Sequence, residues 1–212
     1  MSHFCVYVFH DAKTSVDELL APFDESIEFE PYVEYTKEQA IAKVRKNIED
    51  FKNSEHYKEY LADPVKYKKN WGHNESHIKY LEEEFPKRLN WTDEECYEDK
   101  AKWYREDGMV SEDGSLLSTY NPKSKWDWYQ IGGRWSGSVP GDEVQMCEIP
   151  IETIDTPYAF ITPDGEWVER GEMGWFGMGS NEIDEDAWDA KFKEYLKTLD
   201  KNIILTQVDC HI

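Results

Sequence analysis

The run Phe4-Cys5-Val6-Tyr7-Val8-Phe9 is apolar at odd and even positions alike. A β-strand alternates its side chains between two faces, so this segment has no polar face to offer water and must be covered on both sides. It predicts a central strand. At the other end, Ile203 to Ile212 alternates instead: Ile204, Val208, Cys210 and Ile212 share one face, Asp209 and His211 the other. That pattern makes Cys210 a core residue. A ferredoxin-like sheet would set this closing strand antiparallel beside the first.

The elements between follow from local signals. Ser15 can cap a short helix carrying Val16, Leu19 and Leu20, which ends near Pro22, and residues 27–35 read as a second strand broken at Pro31. Thr36-x-x-Gln39 has capping-box form, with Ile41, Val44, Ile48 and Phe51 following at helical spacing. Further helical stretches run over 55–61 and 75–85, and Thr92-x-x-Glu95 opens another toward Trp103. From 108 to 150 the texture is loop and short strand. Residues 157–169 read as a hairpin around Thr162-Pro163-Asp164-Gly165, with Pro and Gly where a type I turn prefers them. An amphipathic helix over 184–199 carries Trp188, Phe192, Tyr195, Leu196 and Leu199 on one stripe. The expectation is an α+β fold: a ferredoxin-like antiparallel sheet with helices on one face, forming a single domain over 1–212 with a helical insertion at about 37–106.

Lys and Arg number 24 against 45 Asp and Glu, a formal net charge of −21. So negative a surface repels phosphate backbones, which argues against direct nucleic-acid binding. Aromatic residues make up 15% of the chain, whereas disordered acidic chains are poor in the large side chains that build cores. The charge is polarised: residues 142–189 hold 14 acids and a single Arg170, while 37–70 hold nine Lys or Arg against six acids. The acidic run reads as a solvated face, or as a nucleic-acid mimic that docks on a basic partner. No apolar run approaches bilayer length, and Met1 leads directly into the first strand without a charged leader or cleavage site. The expected location is the cytoplasm, with no membrane contact. Cys5, Cys96, Cys147 and Cys210 form no CxxC pair, so structural zinc is not expected; Cys5 and Cys147 lack an identifiable base and read as buried.

Two groups of residues carry candidate chemistry. In Trp126-Asp127-Trp128-Tyr129-Gln130-Ile131-Gly132-Gly133-Arg134-Trp135, glycines permit close backbone approach, Arg134 offers a planar fork for phosphate, and indoles supply stacking planes. With Trp175 from a second glycine-aromatic loop, the candidate ligand set is Arg134, Gly132, Gly133, Trp128, Trp135 and Trp175. The competing reading has the Trp side chains filling core and Arg134 pairing with an internal acid. Glycines of the second loop fall as GxxGxG, the reverse of the dinucleotide fingerprint, and no GxxxxGK occurs. The second group is His10, Asp11, Asp209 and His211, a carboxylate–imidazole set for a metal or for acid–base work; the competing reading has these histidines hydrogen-bonded or solvated. No catalytic residue and no cofactor are assigned.

The combination of WDWYQIGGRW, TPDGEW, GEMGWFG and terminal VDCHI resembles an uncharacterised family of proteins from phage genomes and their bacterial hosts. The resemblance covers roughly residues 1–35 and 120–212 and makes the helical block between a variable insertion. It implies a small accessory protein of phage or mobile-element origin, a class in which binders that blunt host defences are common. The leading expectation is a non-enzymatic, anti-defence type of protein in the host cytoplasm that binds a host protein or a small anionic ligand such as a signalling nucleotide. The alternatives are a small metal-dependent hydrolase and an acidic nucleic-acid mimic.

Overall fold

A computed structural model describes residues 2–72, 74–173 and 179–212. In chain order the helices are α1 (Val16–Leu20), α2 (Lys37–Lys52), α3 (Glu55–Ala62), α4 (Pro64–Trp71), α5 (Glu75–Lys79), α6 (Phe85–Arg88), α7 (Asp93–Glu106) and α8 (Glu185–Leu196). The strands are β1 (His3–His10), β2 (Tyr32–Tyr35), β3 (Leu116–Ser118), β4 (Trp128–Ile131) and β5 (Glu143–Gln145). They continue with β6 (Ala159–Ile161), β7 (Trp167–Glu169), β8 (Glu172–Met173), β9 (Gly179–Ser180) and β10 (Ile204–His211). The fold is mixed α+β. Its contacts fall into two compact units, Met1–Glu28 with Tyr120–Ile212, and Phe29–Thr119. No helix among the described residues is long and apolar enough to cross a membrane.

The first unit is built on a sheet of order β4-β10-β1-β6-β7, with β5 sharing the edge of β10 that β4 also uses. β1 and β10 pair antiparallel over their full length, from His3 opposite His211 to His10 opposite Ile204. β6 lies parallel to β1, Val6 opposite Ala159 and Val8 opposite Ile161. The sheet is therefore mixed, where an antiparallel one was expected; the long stretch of chain between β1 and β6 makes the parallel return possible, since only tight turns force antiparallel pairing. β6 and β7 close the expected hairpin, with Gly165 at φ +85° and its N–H donating to Thr162 O at 2.9 Å.

Helices cover both faces of this sheet, correcting the expectation of one. Phe4, Val6 and Val8 of β1 pack with Val208 and Cys210 against Val16, Leu19 and Leu20 of α1 and against Phe23 and Trp126. Tyr7 and Phe9 face the other way and pack with Phe160 and Leu205 against Trp188, Phe192 and Leu196 of α8. The physical reason lies in β1 itself: a strand apolar on both faces loses roughly 1.5–3 kcal/mol for each large side chain left in water, so both faces attract a helix. Ser15 caps α1 through a reciprocal pair with Glu18, and the Asp184 carboxylate caps α8.

The second unit is mostly helical. Thr36 with Gln39 and Thr92 with Glu95 form capping boxes at the starts of α2 and α7. Ala40, Tyr97, Ala101 and Leu116 make one core cluster, and Tyr57, Tyr67, Leu81 and Phe85 another. The helix expected over 75–85 is interrupted by a π turn at Tyr80–Glu84. Pro86 explains it: a proline ring clashes with the carbonyl four residues back, here Glu82, and the wider turn moves that carbonyl aside.

Candidate functional site

The sheet face that α8 covers at Phe9 and Leu205 turns polar toward the other end of the same strands. Residues directly opposite in an antiparallel pair project to one face. The register thus gathers His3, Cys5 and Tyr7 of β1 with His211, Asp209 and Gln207 of β10. Asp209, Gln207 and His211 are all buried. This polar row lies where β4 ends and the chain turns back toward β5.

That turn accounts for the diglycine. Gly132 N–H donates to Gln207 O at 2.8 Å, and Arg134 N–H donates to Asp209 Oδ2 at 3.0 Å. A Cβ on Gly133 would sit 2.3 Å from Asp209 Cβ, and on Gly132 2.4 Å from Asp142 Oδ2, both at positive φ. Only glycine lets the backbone lie this close. Asp142 closes the turn by accepting from Ser136 Oγ at 2.8 Å and from Gly137 N–H at 2.9 Å.

Two aspartate–histidine pairs stand side by side in the row. His3 Nδ1 donates to Asp209 Oδ1 at 2.9 Å, and His211 Nδ1 to Asp127 Oδ1 at 2.5 Å. The imidazoles meet edge to face with centroids 5.0 Å apart; Trp128 stacks on His211 at 5.3 Å and meets His3 edge-on at 5.4 Å. His211 Nε2 and Gln207 Oε1 are buried without a hydrogen-bond partner among the described residues. Burial, with Asp209 and Asp155 adding to it, pushes the Cys5 thiol up to about 12. Burial likewise raises the Tyr7 phenol, with Cys5 and Asp155 contributing. Both groups therefore keep their protons at neutral pH.

A cleft of about 440 Å³ opens beside the row, lined by His3, Cys5, Tyr7, Trp135, Asp155 and Tyr158 among others. A second hollow of about 560 Å³ shares the wall from Asp155 to Tyr158 and carries Glu152, Asp186 and Asp189 with Arg170 and Lys193. Part of the acidic run is structural: Asp184 caps α8, Asp164 accepts from Thr162 Oγ1 at 2.6 Å, and Glu169 binds Lys125 Nζ at 2.6 Å.

The tryptophans of the WDWYQIGGRW motif divide. Trp126 is core, its Nε1–H donating to Leu20 O at 3.1 Å; Trp128 is 42% exposed over His211; Trp135 lines the cleft. The Arg134 side chain is exposed and makes no ion pair among the described residues, so the internal pairing with an acid is not found. Trp175 lies outside the described residues.

The set His10, Asp11, Asp209 and His211 is not brought together. In the antiparallel register His10 faces Ile204, seven positions and about 23 Å along the strand from His211. His10 Nε2 bonds Thr206 Oγ1 at 2.9 Å, and Asp11 accepts from the N–H groups of Lys13 and Thr14. No group of three or more His, Cys, Asp or Glu among the described residues is placed to hold a metal ion. His3, Asp127, Tyr7 and Asp155 are the residues sequence reasoning missed. The antiparallel pairing was itself the available signal, because it places His3 and not His10 beside His211. Cys147, expected buried, is exposed.

Comparison of the chain with protein-family models, with curated proteins and with solved structures finds no match.

Proposed function

We propose that this chain is a non-enzymatic, phage-type accessory protein of the host cytoplasm whose cleft binds a small anionic ligand of the nucleotide class. The observation that carries the reading is Arg134: an exposed guanidinium without an ion pair among the described residues, in a chain of net charge −21, on the residue preceding Trp135, which lines the cleft. In so acidic a molecule a cation left without a carboxylate is an available phosphate anchor. The cleft volume of about 440 Å³ falls in the usual range for small-molecule sites, and Trp135 offers a stacking plane at its edge.

Titration of nucleotides against tryptophan fluorescence and a thermal melt of the same samples test it. Arg134→Ala removes a charge-assisted bond of about 1.5–3 kcal/mol, so affinity falls roughly ten- to a hundredfold while the melting temperature stays put. No nucleotide-dependent change in the wild-type protein would remove the reading. It would leave the 142–189 acidic run, as a surface for a basic host protein, in front. A hydrolase reading has one observation in its favour, the Asp209–His3 pair beside the cleft; turnover of the bound nucleotide in the same samples would establish it.

A further inference from the structure

Resting on that reading, we propose that the cleft takes the base of the nucleotide rather than its phosphates, and that the base is guanine, read by the Asp155 carboxylate and the Tyr7 hydroxyl. None of the described residues lining the cleft is Lys or Arg, and Asp155 lines it, so nothing inside neutralises a phosphate. Tyr7, Trp135 and Tyr158 line it as well, which suits a flat, uncharged heterocycle. The Trp135 indole is half-buried and packs on no other ring among the described residues, whereas Trp126, Trp128 and Trp188 each do. A base can stack there.

Two polar groups of the cleft lack partners. Tyr7 is 1% exposed, yet its hydroxyl makes no hydrogen bond among the described residues, and a buried polar group calls for a partner from whatever it faces. Burial raises the Tyr7 phenol, so it keeps its proton and serves as a donor. The Asp155 side chain makes no hydrogen bond or ion pair among the described residues, and the two oxygens of a carboxylate only accept. After burial and Cys5, Asp155 adds to the raising of Tyr7, which places the two groups within reach of one another. One donor beside a two-oxygen acceptor is the pattern that the pairing edge of guanine completes: O6 accepts, while N1–H and an N2–H donate side by side. The other bases do not match. Adenine and cytosine set a ring-nitrogen lone pair against the carboxylate, and uracil flanks its single N–H with two carbonyl oxygens. A site built on hydrogen bonds rejects such analogues because its own polar groups are left unpaired.

The test is calorimetric titration of GDP, ADP, CDP, UDP and xanthosine diphosphate on wild type, Asp155→Asn and Tyr7→Phe. Wild type should bind GDP about ten- to a hundredfold more tightly than ADP, CDP or UDP, the worth of a charge-assisted hydrogen bond. Equal affinities, or a preference for another base, overturn the proposal while leaving the nucleotide reading intact. No diphosphate binding to wild type overturns that reading, and the proposal with it. In Asp155→Asn the amide oxygen still accepts from N1–H, but the amide N–H meets the guanine amine, whereas it can donate to the C2 carbonyl of xanthine. Xanthosine diphosphate should then overtake GDP, a reversal that a damaged fold cannot produce. Any other order in the variant overturns the role of Asp155. Tyr7→Phe removes the donor to O6 and should weaken GDP about two- to tenfold with ADP unchanged; an equal effect on both nucleotides, or none, overturns the role of Tyr7.

Discussion

In the unit Phe29–Thr119 the two longest helices start at a Thr whose partner sits three residues on, and their exposed faces carry ion pairs such as Arg45 with Asp93. In the other unit β1 finds β10 some two hundred positions away, and the bond His3–Asp209 spans 206. Local contacts specify the helical unit redundantly, because every one of its described helices except α6 starts at a residue whose side chain caps it. The sheet unit depends on a few non-local pairings, and those same pairings assemble the polar row. One strand register thus serves as core and as candidate site together, so damage to the register removes both.

The largest expected effect comes from deleting residues 208–212. It strips Val208 and Cys210 from the core and unpairs the start of β1, at roughly 1.5–3 kcal/mol for each large side chain against a total stability of about 5–15. The truncated protein should aggregate or lose its near-ultraviolet dichroism; a soluble product with unchanged melting temperature contradicts the pairing. Phe192→Ala, which empties the space between α8 and Phe9, should cost about 3–5 kcal/mol in a denaturant titration. Gly133→Ala drives a Cβ into Asp209 and should cost about 1–3 kcal/mol. Its sharper signature is loss of nucleotide-dependent fluorescence, because the Arg134 backbone must leave the Asp209 carboxylate. Smallest is Thr36→Ala in the helical unit, about 1 kcal/mol for one lost cap. A Thr36→Ala penalty as large as that of Phe192→Ala would erase the contrast between the two units.

The same contrast governs what could be read from the chain. The capping boxes at Thr36 and Thr92, the turn at Thr162 to Gly165 and the stripe of α8 are encoded within a few residues and were legible. The double-sided run in β1 also held the answer about helix placement, since a strand with two apolar faces cannot be covered by helices on one. The parallel return of β6 was hidden, because nothing local distinguishes it from an antiparallel strand. At the site, the glycines of WDWYQIGGRW were visible as a place of close approach, but the carboxylates approached, Asp142 and Asp209, lie 10 and 76 positions beyond Gly132 and Gly133. His10 stands next to an aspartate in sequence and His3 does not. The register, not adjacency, decides which histidine meets Asp209.

The distance between β1 and its partners also sets a clock during synthesis. At about 5–20 residues per second, β10 emerges roughly 10–40 s after β1, and even β6 follows by some 150 residues. Until β6 emerges, Phe4 to Phe9 has no strand on either edge, whereas the helices of Phe29–Thr119 can close on neighbours already made. A nascent segment this apolar is a natural client for chaperones, and crowding on polysomes would penalise it before the finished molecule has any stability to measure.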